Sequence, residues 1–295
     1  MDIQNIRRFH DTRSLSNLPV SNERLLAGES VSSGSCYSKA ELQQACRDLE
    51  AYTKDLMPTE SISSASSYFE NKLVFAIRDW SASPGSQILH IEGSLETKNS
   101  PITSEASSCV VKALSDLNIP TVYLFCGWPS KSRENWMIRN MYWLISQLTE
   151  HLNVPEGGYL DFDCARLREL DGTIETWDDA LSIFSDLLDY APLRLYVIID
   201  GIERLESMGG NEKYVSSLIR LLRDRAAREV LRDGDGRCLK VLLTTANSLA
   251  SLNQLNDKAL RTVTLNRQNA KRRPGEPRLG RSQIVLELEN SAREM

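Results

Sequence analysis

An aspartate and a glutamate follow a strongly apolar stretch in the second half of the chain. Residues 195–199 are all apolar or aromatic, and Asp200, Gly201 and Glu203 come directly after them. An aspartate at the carboxyl end of a buried strand can bind magnesium, and a second acid close by can orient an attacking water molecule. The simpler alternative is an acid that caps the following turn. We therefore take Asp200 as a candidate metal ligand and Glu203 as a candidate catalytic residue.

A second candidate is the loop after an earlier apolar segment, 87–92. Residues 93–100 are Gly-Ser-Leu-Glu-Thr-Lys-Asn-Ser, to be compared with the phosphate-binding pattern G-x-x-x-x-G-K-[ST]. In that pattern the backbone amides and the lysine bind phosphate oxygens, and the hydroxyl binds magnesium. Gly93 and Ser100 keep the first and last positions, whereas Lys98 replaces the second glycine and Asn99 replaces the lysine. These four residues are candidate nucleotide-binding residues, and Ser100 is also a candidate magnesium ligand.

Two threonines end another apolar segment, 239–245. Thr244 and Thr245 stand at its carboxyl end, where a polar side chain can contact the terminal phosphate of a nucleotide. The alternative is ordinary hydroxyl pairing at the end of a strand. We include both threonines among the candidate nucleotide-binding residues.

Short apolar segments alternate with longer helical patterns from residue 87 onward. Strands are predicted over 87–92, 121–126, 193–199, 239–245 and 261–265, and helices over about 103–117, 133–151, 176–189 and 211–231. Strands without polar alternation are typical of a parallel sheet that is buried on both faces. Alternation of strand and helix predicts right-handed crossovers and a doubly wound α/β fold.

The flanking segments differ in composition from this core, which we bound at 86–266. Residues 1–37 are polar and are predicted to be mobile. Residues 38–85 are predicted to form a helical extension, whose first helix begins with a capping box of Ser38 and Glu41. Residues 152–175 are predicted to be a loop over one end of the sheet. Residues 267–295 are predicted to be a basic loop, with six Lys or Arg against one Glu over 267–281, and a last strand over 282–288.

The bulk properties exclude several classes of protein. A net charge of −5 over 295 residues is not that of a general nucleic-acid binder, although the basic stretch 267–281 could contact an anionic partner or act in nuclear targeting. No apolar run approaches the length of a membrane span. Six dispersed cysteines and three histidines do not form a zinc pattern, and buried thiols are expected in a reducing compartment. We expect a cytoplasmic location, with a nuclear one as the alternative.

Taken together, these motifs resemble the NACHT group of signal-transducing P-loop ATPases, and more narrowly a NACHT-related family of filamentous fungi. The resemblance covers roughly residues 68–265, and it is carried by Asp200-Gly201-x-Glu203 with the threonine strand end and by the segments 88–93, 125–126, 170–172, 177 and 197–201. It implies a P-loop NTPase-type, doubly wound, mainly parallel five-stranded sheet of order 5-1-4-3-2, preceded by N-terminal helices. It also implies that both nucleotide motifs lie at the carboxyl edge of that sheet.

Two departures from the family pattern shape the expected function. Asn99 stands where active members carry lysine, and Ala246 stands where an arginine is common. The resemblance then implies a degenerate module for signalling or scaffolding, which acts through protein partners or a second copy of itself and hydrolyses nucleotide weakly or not at all. The alternative is a slow ATPase or GTPase. In it, Lys98 would supply the charge, Ser100 and Asp200 would hold Mg²⁺, and Glu203 would position water.

Overall fold

The computed structural model has nine strands, and five of them carry the core of the molecule. The strands are β1 (Cys36–Tyr37), β2 (Tyr68–Phe69), β3 (Gln87–Glu92), β4 (Thr121–Phe125), β5 (Leu160–Asp161), β6 (Arg194–Asp200), β7 (Cys238–Thr245), β8 (Leu260–Thr264) and β9 (Leu279–Gly280). The residues that the structure describes, to which these counts refer, are 36–54, 68–93, 102–127, 135–154, 158–207, 210–231, 237–247, 249–253, 260–265 and 279–293.

Helices connect and cover these strands. They are α1 (Lys39–Thr53), α2 (Asn71–Ala82), α3 (Ile102–Asp116), α4 (Trp136–His151), α5 (Ala165–Arg168), α6 (Trp177–Leu188), α7 (Ile202–Glu206), α8 (Glu212–Leu231), α9 (Ala250–Asn253) and α10 (Arg281–Arg293). The predicted core helices and strands are all present, with ends within a few residues of the expected ones. No helix in the described part of the chain is long and apolar enough to cross a membrane.

The main sheet has the order β4-β6-β7-β3-β8, and every pair in it is parallel. If the five predicted strands are numbered 1 to 5 along the chain and the sheet is read from β8 to β4, this order is 5-1-4-3-2. The chain therefore has the expected P-loop NTPase-type fold. The register aligns the carboxyl ends of the strands, because Phe125 pairs with Asp200, Asp200 with Thr244, and Glu92 with Thr245.

Both faces of the sheet are buried, which explains the apolar strands. In β6, Tyr196 and Ile198 face a core formed with α2, α3 and α10, while Val197 and Ile199 face a core formed with α1, α4, α6 and α8. Successive side chains of a strand point to opposite faces, so both sets must be apolar. This is the doubly wound arrangement that the sequence predicts.

The predicted capping box at the start of α1 is confirmed. The backbone amide of Glu41 donates to the Ser38 hydroxyl over 3.3 Å, and the Ser38 amide donates to the Glu41 carboxylate over 2.8 Å. One face of α1 is buried against α4 within the core of the sheet domain. The boundary that we drew after residue 85 stays a prediction, and residues 1–35 and 55–67 lie outside the described residues.

The predicted C-terminal strand over 282–288 is wrong, since this segment lies within α10. Ile284, Leu286 and Leu288 alternate with polar or smaller residues and so suggest a strand. In the structure Ile284 and Leu288, four residues apart, are 0% and 1% exposed, while Leu286 is 46% exposed. That is a helical face, packed on α2 and α3. Of the basic stretch, residues 267–278 lie outside the described residues.

The stretch 152–175 is more ordered than a simple loop. It contains β5, which pairs with β1, the short helix α5 and the beginning of a 3₁₀ turn at Ile174–Thr176. The two-residue strands β2 and β9 pair in the same antiparallel way and bring the start of α2 beside the start of α10. These small ladders tie the terminal helices to the sheet domain.

Candidate functional site

Gly93 directly follows β3 at the carboxyl edge of the sheet, where its lack of a side chain matters. Its backbone N–H donates to the Thr245 carbonyl over 2.7 Å. A Cβ atom at this position would come within 2.8 Å of Thr103 Cγ2 and 3.3 Å of the Thr245 carbonyl oxygen. The first glycine of the predicted phosphate loop therefore lets the strand end approach α3 closely. Lys98, Asn99 and Ser100 lie outside the described residues.

Asp200 lies at the same edge and is 3% exposed. Its Oδ2 accepts a 2.6 Å hydrogen bond from the Ser104 hydroxyl, and its Oδ1 accepts a hydrogen bond from the Thr244 hydroxyl. Burial raises the pKa of Asp200, while the two hydroxyl groups oppose this by stabilising the carboxylate. Both oxygens of the candidate metal ligand thus have partners within the chain.

Ser104 is a site residue that the sequence analysis missed. It lies in the first turn of α3, which begins at Ile102, and it reaches the aspartate that ends β6. The fixed spacing of the phosphate-loop pattern points to Ser100, two residues before this helix begins. The sequence feature that could have indicated Ser104 is the cluster of hydroxyl residues Thr103, Ser104 and Ser107 in the predicted helix.

The two candidate threonines have different surroundings because they face opposite sides of β7. The Thr244 hydroxyl joins Asp200 to Ser107, whose Oγ lies 3.2 Å away on α3. The Thr245 hydroxyl lies 3.0 Å from Nε2 of His90 on β3. Burial lowers the pKa of His90 to about 4, so this imidazole is neutral at neutral pH. Thr244 therefore belongs to the Asp200 cluster, and Thr245 does not.

The residues after Asp200 turn the chain sharply into α7. Gly201 has a φ of +71°, and a Cβ there would lie 3.3 Å from the Cys126 carbonyl oxygen. Its N–H donates to the Thr244 carbonyl over 2.8 Å. The small residue after the acid is thus required by a left-handed backbone and by close packing.

Glu203 and Arg204 form a largely buried pair on α7. The Glu203 Oε1 and Arg204 Nε atoms are 3.9 Å apart, with side chains 11% and 16% exposed. Arg204 also donates to the Cys126 carbonyl over 2.9 Å. Burial raises the pKa of Glu203, against a backbone hydrogen bond from Ala246. Oε2 of Glu203 is buried and has no hydrogen-bond partner among the described residues.

The two acids have hydroxyl groups and one cation as neighbours. Asp200 accepts from two hydroxyls, and the Arg204 guanidinium partly offsets the rise that burial causes in the pKa values of Asp200 and Glu203. Within the described ranges, no group of three or more His, Cys, Asp or Glu side chains is arranged to hold a metal ion. Five cysteines are buried, namely Cys46, Cys109, Cys126, Cys164 and Cys238.

Comparisons with known proteins give little beyond this geometry. No family model matches the chain, and no curated protein matches it. Among solved structures, the chain is similar to the Aeropyrum pernix ORC1 protein, solved in complex with DNA, with a TM-score of 0.36 and 14% sequence identity. The match covers 81% of this chain and 52% of that one, so this chain spans about half the length of that protein.

Proposed function

We propose that this chain is a degenerate NACHT-like P-loop module that acts as a signalling or scaffolding protein through protein interaction, with weak or no nucleotide hydrolysis. The observation that carries the proposal is that each carboxylate oxygen of Asp200 already accepts a hydrogen bond within the chain, from Ser104 and from Thr244. A magnesium ion at this aspartate would have to displace or share these partners.

The charges around the site support the same conclusion. Asn99 replaces the lysine that would neutralise the phosphate oxygens. Arg204, the cation beside the two acids, donates to the Cys126 carbonyl and lies against Glu203. Charge-assisted hydrogen bonds contribute about 1.5–3 kcal/mol each, and phosphoryl transfer depends on such stabilisation for most of its rate. Losing the lysine therefore weakens both binding and turnover.

Titration of the protein with ATP and GTP in the presence of Mg²⁺, followed by calorimetry, tests the proposal. We expect no binding that depends on Asp200: wild type and Asp200→Asn should give the same weak or undetectable signal. Asparagine keeps the shape of the aspartate side chain, and circular dichroism checks that the variant is folded. Asp48→Asn, at an exposed position of α1, controls for a change in net charge. Tight, magnesium-dependent binding that is lost only in Asp200→Asn would overturn the proposal.

A second function, a slow Mg²⁺-dependent ATPase or GTPase, is favoured by one specific observation. Oε2 of Glu203 is buried without a partner in the described part of the chain, and a carboxylate in that state can hold a water molecule. In this case Asp200 with Ser104 or Ser100 would hold the ion, which would neutralise charge on the phosphates. Lys98 would supply the missing cation.

Single-turnover hydrolysis distinguishes this alternative. If it is correct, Glu203→Gln should abolish turnover and leave nucleotide affinity unchanged, because only the water-orienting group is removed. Separate Ser104→Ala and Ser100→Ala variants would identify the hydroxyl that contacts the ion. Absence of turnover in the wild-type protein at saturating nucleotide would rule the alternative out.

A further inference from the structure

The strand β4 lies at one edge of the main sheet, with β6 as its neighbour on the inner side. The Pro120 carbonyl accepts a hydrogen bond from the Tyr196 amide, and the Cys126 amide donates to the Asp200 carbonyl. The backbone groups of the even-numbered residues therefore point toward β6. Thr121, Tyr123 and Phe125 consequently direct their backbone groups outward. Unpaired outward groups of this kind are a template for pairing with a strand of another chain.

Side chains of α4 form hydrogen bonds with these outward backbone groups. The Tyr123 amide donates to Oε1 of Gln147 over 3.1 Å, and Nε2 of Gln147 donates back to the Tyr123 carbonyl over 2.8 Å. Nε1 of Trp143 donates to the same carbonyl over 3.0 Å. The side-chain amide of Gln147 thus makes the two bonds that a peptide group of a neighbouring strand would make.

The remaining outward carbonyls are occupied as well. Nε2 of His151 donates to the Thr121 carbonyl over 3.1 Å, and the Gly127 amide donates to the Phe125 carbonyl over 2.9 Å. Trp143, Gln147 and His151 are spaced four residues apart, so they lie along one face of α4. We call these three side chains the edge ladder.

Among the described residues, the hydrogen bonds to the outward groups of Thr121, Tyr123 and Phe125 come from the edge ladder and from the Gly127 amide. A cavity of about 560 Å³ opens along this edge, lined by residues of β4, the edge ladder, the end of α3 and the end of α1. The lining includes three charged residues of both signs, Glu50, Lys54 and Glu150. There is consequently room beside β4 for an extended segment once the ladder is removed.

We propose that the edge ladder is a lock that keeps the β4 edge closed to strand pairing, and that the partner it excludes is a second copy of this chain. Two copies of one edge can pair antiparallel about a twofold axis, since each presents the same groups to the other. Tyr123 and Phe125, with ring centroids 5.8 Å apart, would supply aromatic pairs across such a junction. The lock does not depend on whether nucleotide binds.

The substitution Gln147→Met tests the lock, because methionine keeps the length and helix propensity of glutamine and makes neither bond. In dilute solution, amide hydrogen exchange at Tyr123 should become about tenfold faster, the factor that corresponds to one net hydrogen bond. At higher concentration the variant should form dimers in light scattering, and the Tyr123 amide should become protected again. Wild type should remain at its own oligomeric state over the same range.

Two further variants make the result interpretable. Gln44→Met adds the same side chain at an exposed position of α1 and should leave exchange and association unchanged. Gln147→Glu breaks the bond to the Tyr123 carbonyl but puts a charge on the edge, which opposes strand pairing, so it should keep the oligomeric state of wild type. Unchanged exchange in Gln147→Met, or faster exchange without dimer formation, would overturn the proposal.

Discussion

The hydroxyl of Ser104, in the first turn of α3, donates a 2.6 Å hydrogen bond to Oδ2 of Asp200 at the end of β6. The two residues are 96 positions apart in the sequence, and the bond joins the helix after the predicted phosphate loop to the strand that ends in the acid. The bond therefore helps a buried carboxylate to remain charged.

Ser104→Ala should destabilise the protein by about 1–3 kcal/mol, because it leaves a buried carboxylate oxygen without its donor. Urea denaturation at pH 7 measures the effect as a lower midpoint at an unchanged m-value. Ser108→Ala on the same helix is the matched control and should shift stability by less than about 0.5 kcal/mol. Equal stability of the two variants would show that the bond contributes nothing.

Glu203→Gln should make the protein more stable at neutral pH, with a gain that disappears in acid. Burial raises the folded-state pKa of Glu203 above 4.5, so the folded protein takes up this proton more readily than the unfolded chain. The stability that Glu203 contributes to the wild-type protein is therefore lost as the pH rises from 4.5 through the pKa of the folded state. The variant does not titrate there. Denaturation at pH 4 and pH 7 tests this, and a gain equal at both values would contradict it.

Lys240→Met should reveal a stability change in the alkaline range. Lys240 is fully buried in β7, and its Nζ donates to the Ser83 and Gly85 carbonyls over 2.6 and 2.7 Å. Burial lowers its pKa from 10.5 to about 8, so the unfolded chain binds more protons between these values and stability rises with pH. The stability of wild type relative to the variant should thus increase from pH 8 to pH 10.5. The exposed Lys112→Met serves as the control, and a flat difference for Lys240→Met would contradict the expectation.

The strands and core helices could be predicted because burial on both faces makes each strand an unbroken apolar run. The position of Asp200 followed directly, since the acid ends such a run. Lys240 shows the limit of this reasoning. It lies inside a predicted strand, but the carbonyls that satisfy it are about 155 residues away in the sequence, and no local pattern indicates them.

One omission and one error have physical causes that the sequence alone does not reveal. The phosphate-loop pattern directs attention to Ser100, which lies outside the described residues, and it gives no reason to include Ser104, whose hydroxyl reaches Asp200 from the first turn of α3. The segment 282–288 has residues that fit both a period of two and a period near four. Its tertiary contacts with α2 and α3 decide for the helix, because the Ile284 and Leu288 side chains are buried there while Leu286 is exposed.

Gly172→Ala should destabilise the protein by about 2–5 kcal/mol, which combines backbone strain with overpacking. Gly172 has a φ of +83°, and a Cβ there would lie 2.2 Å from Cε1 of Tyr52 on α1. Its N–H also donates to the Tyr142 hydroxyl on α4 over 3.1 Å. Gly85→Ala is the matched control, because nothing lies within 4 Å of the added Cβ and its φ is not in the left-handed region.

A double-mutant cycle with Tyr52→Ala separates the two costs of Gly172→Ala in thermal or urea unfolding. Removing the ring relieves the steric clash, so the alanine should cost less in that background, and only the backbone strain of about 1–2 kcal/mol should remain. A cost that is the same in both backgrounds would show that the backbone conformation alone requires glycine. The expected coupling would instead show that the Tyr52 ring on α1 fills the space beside Gly172 in the folded protein, so that close packing and backbone conformation both require glycine there.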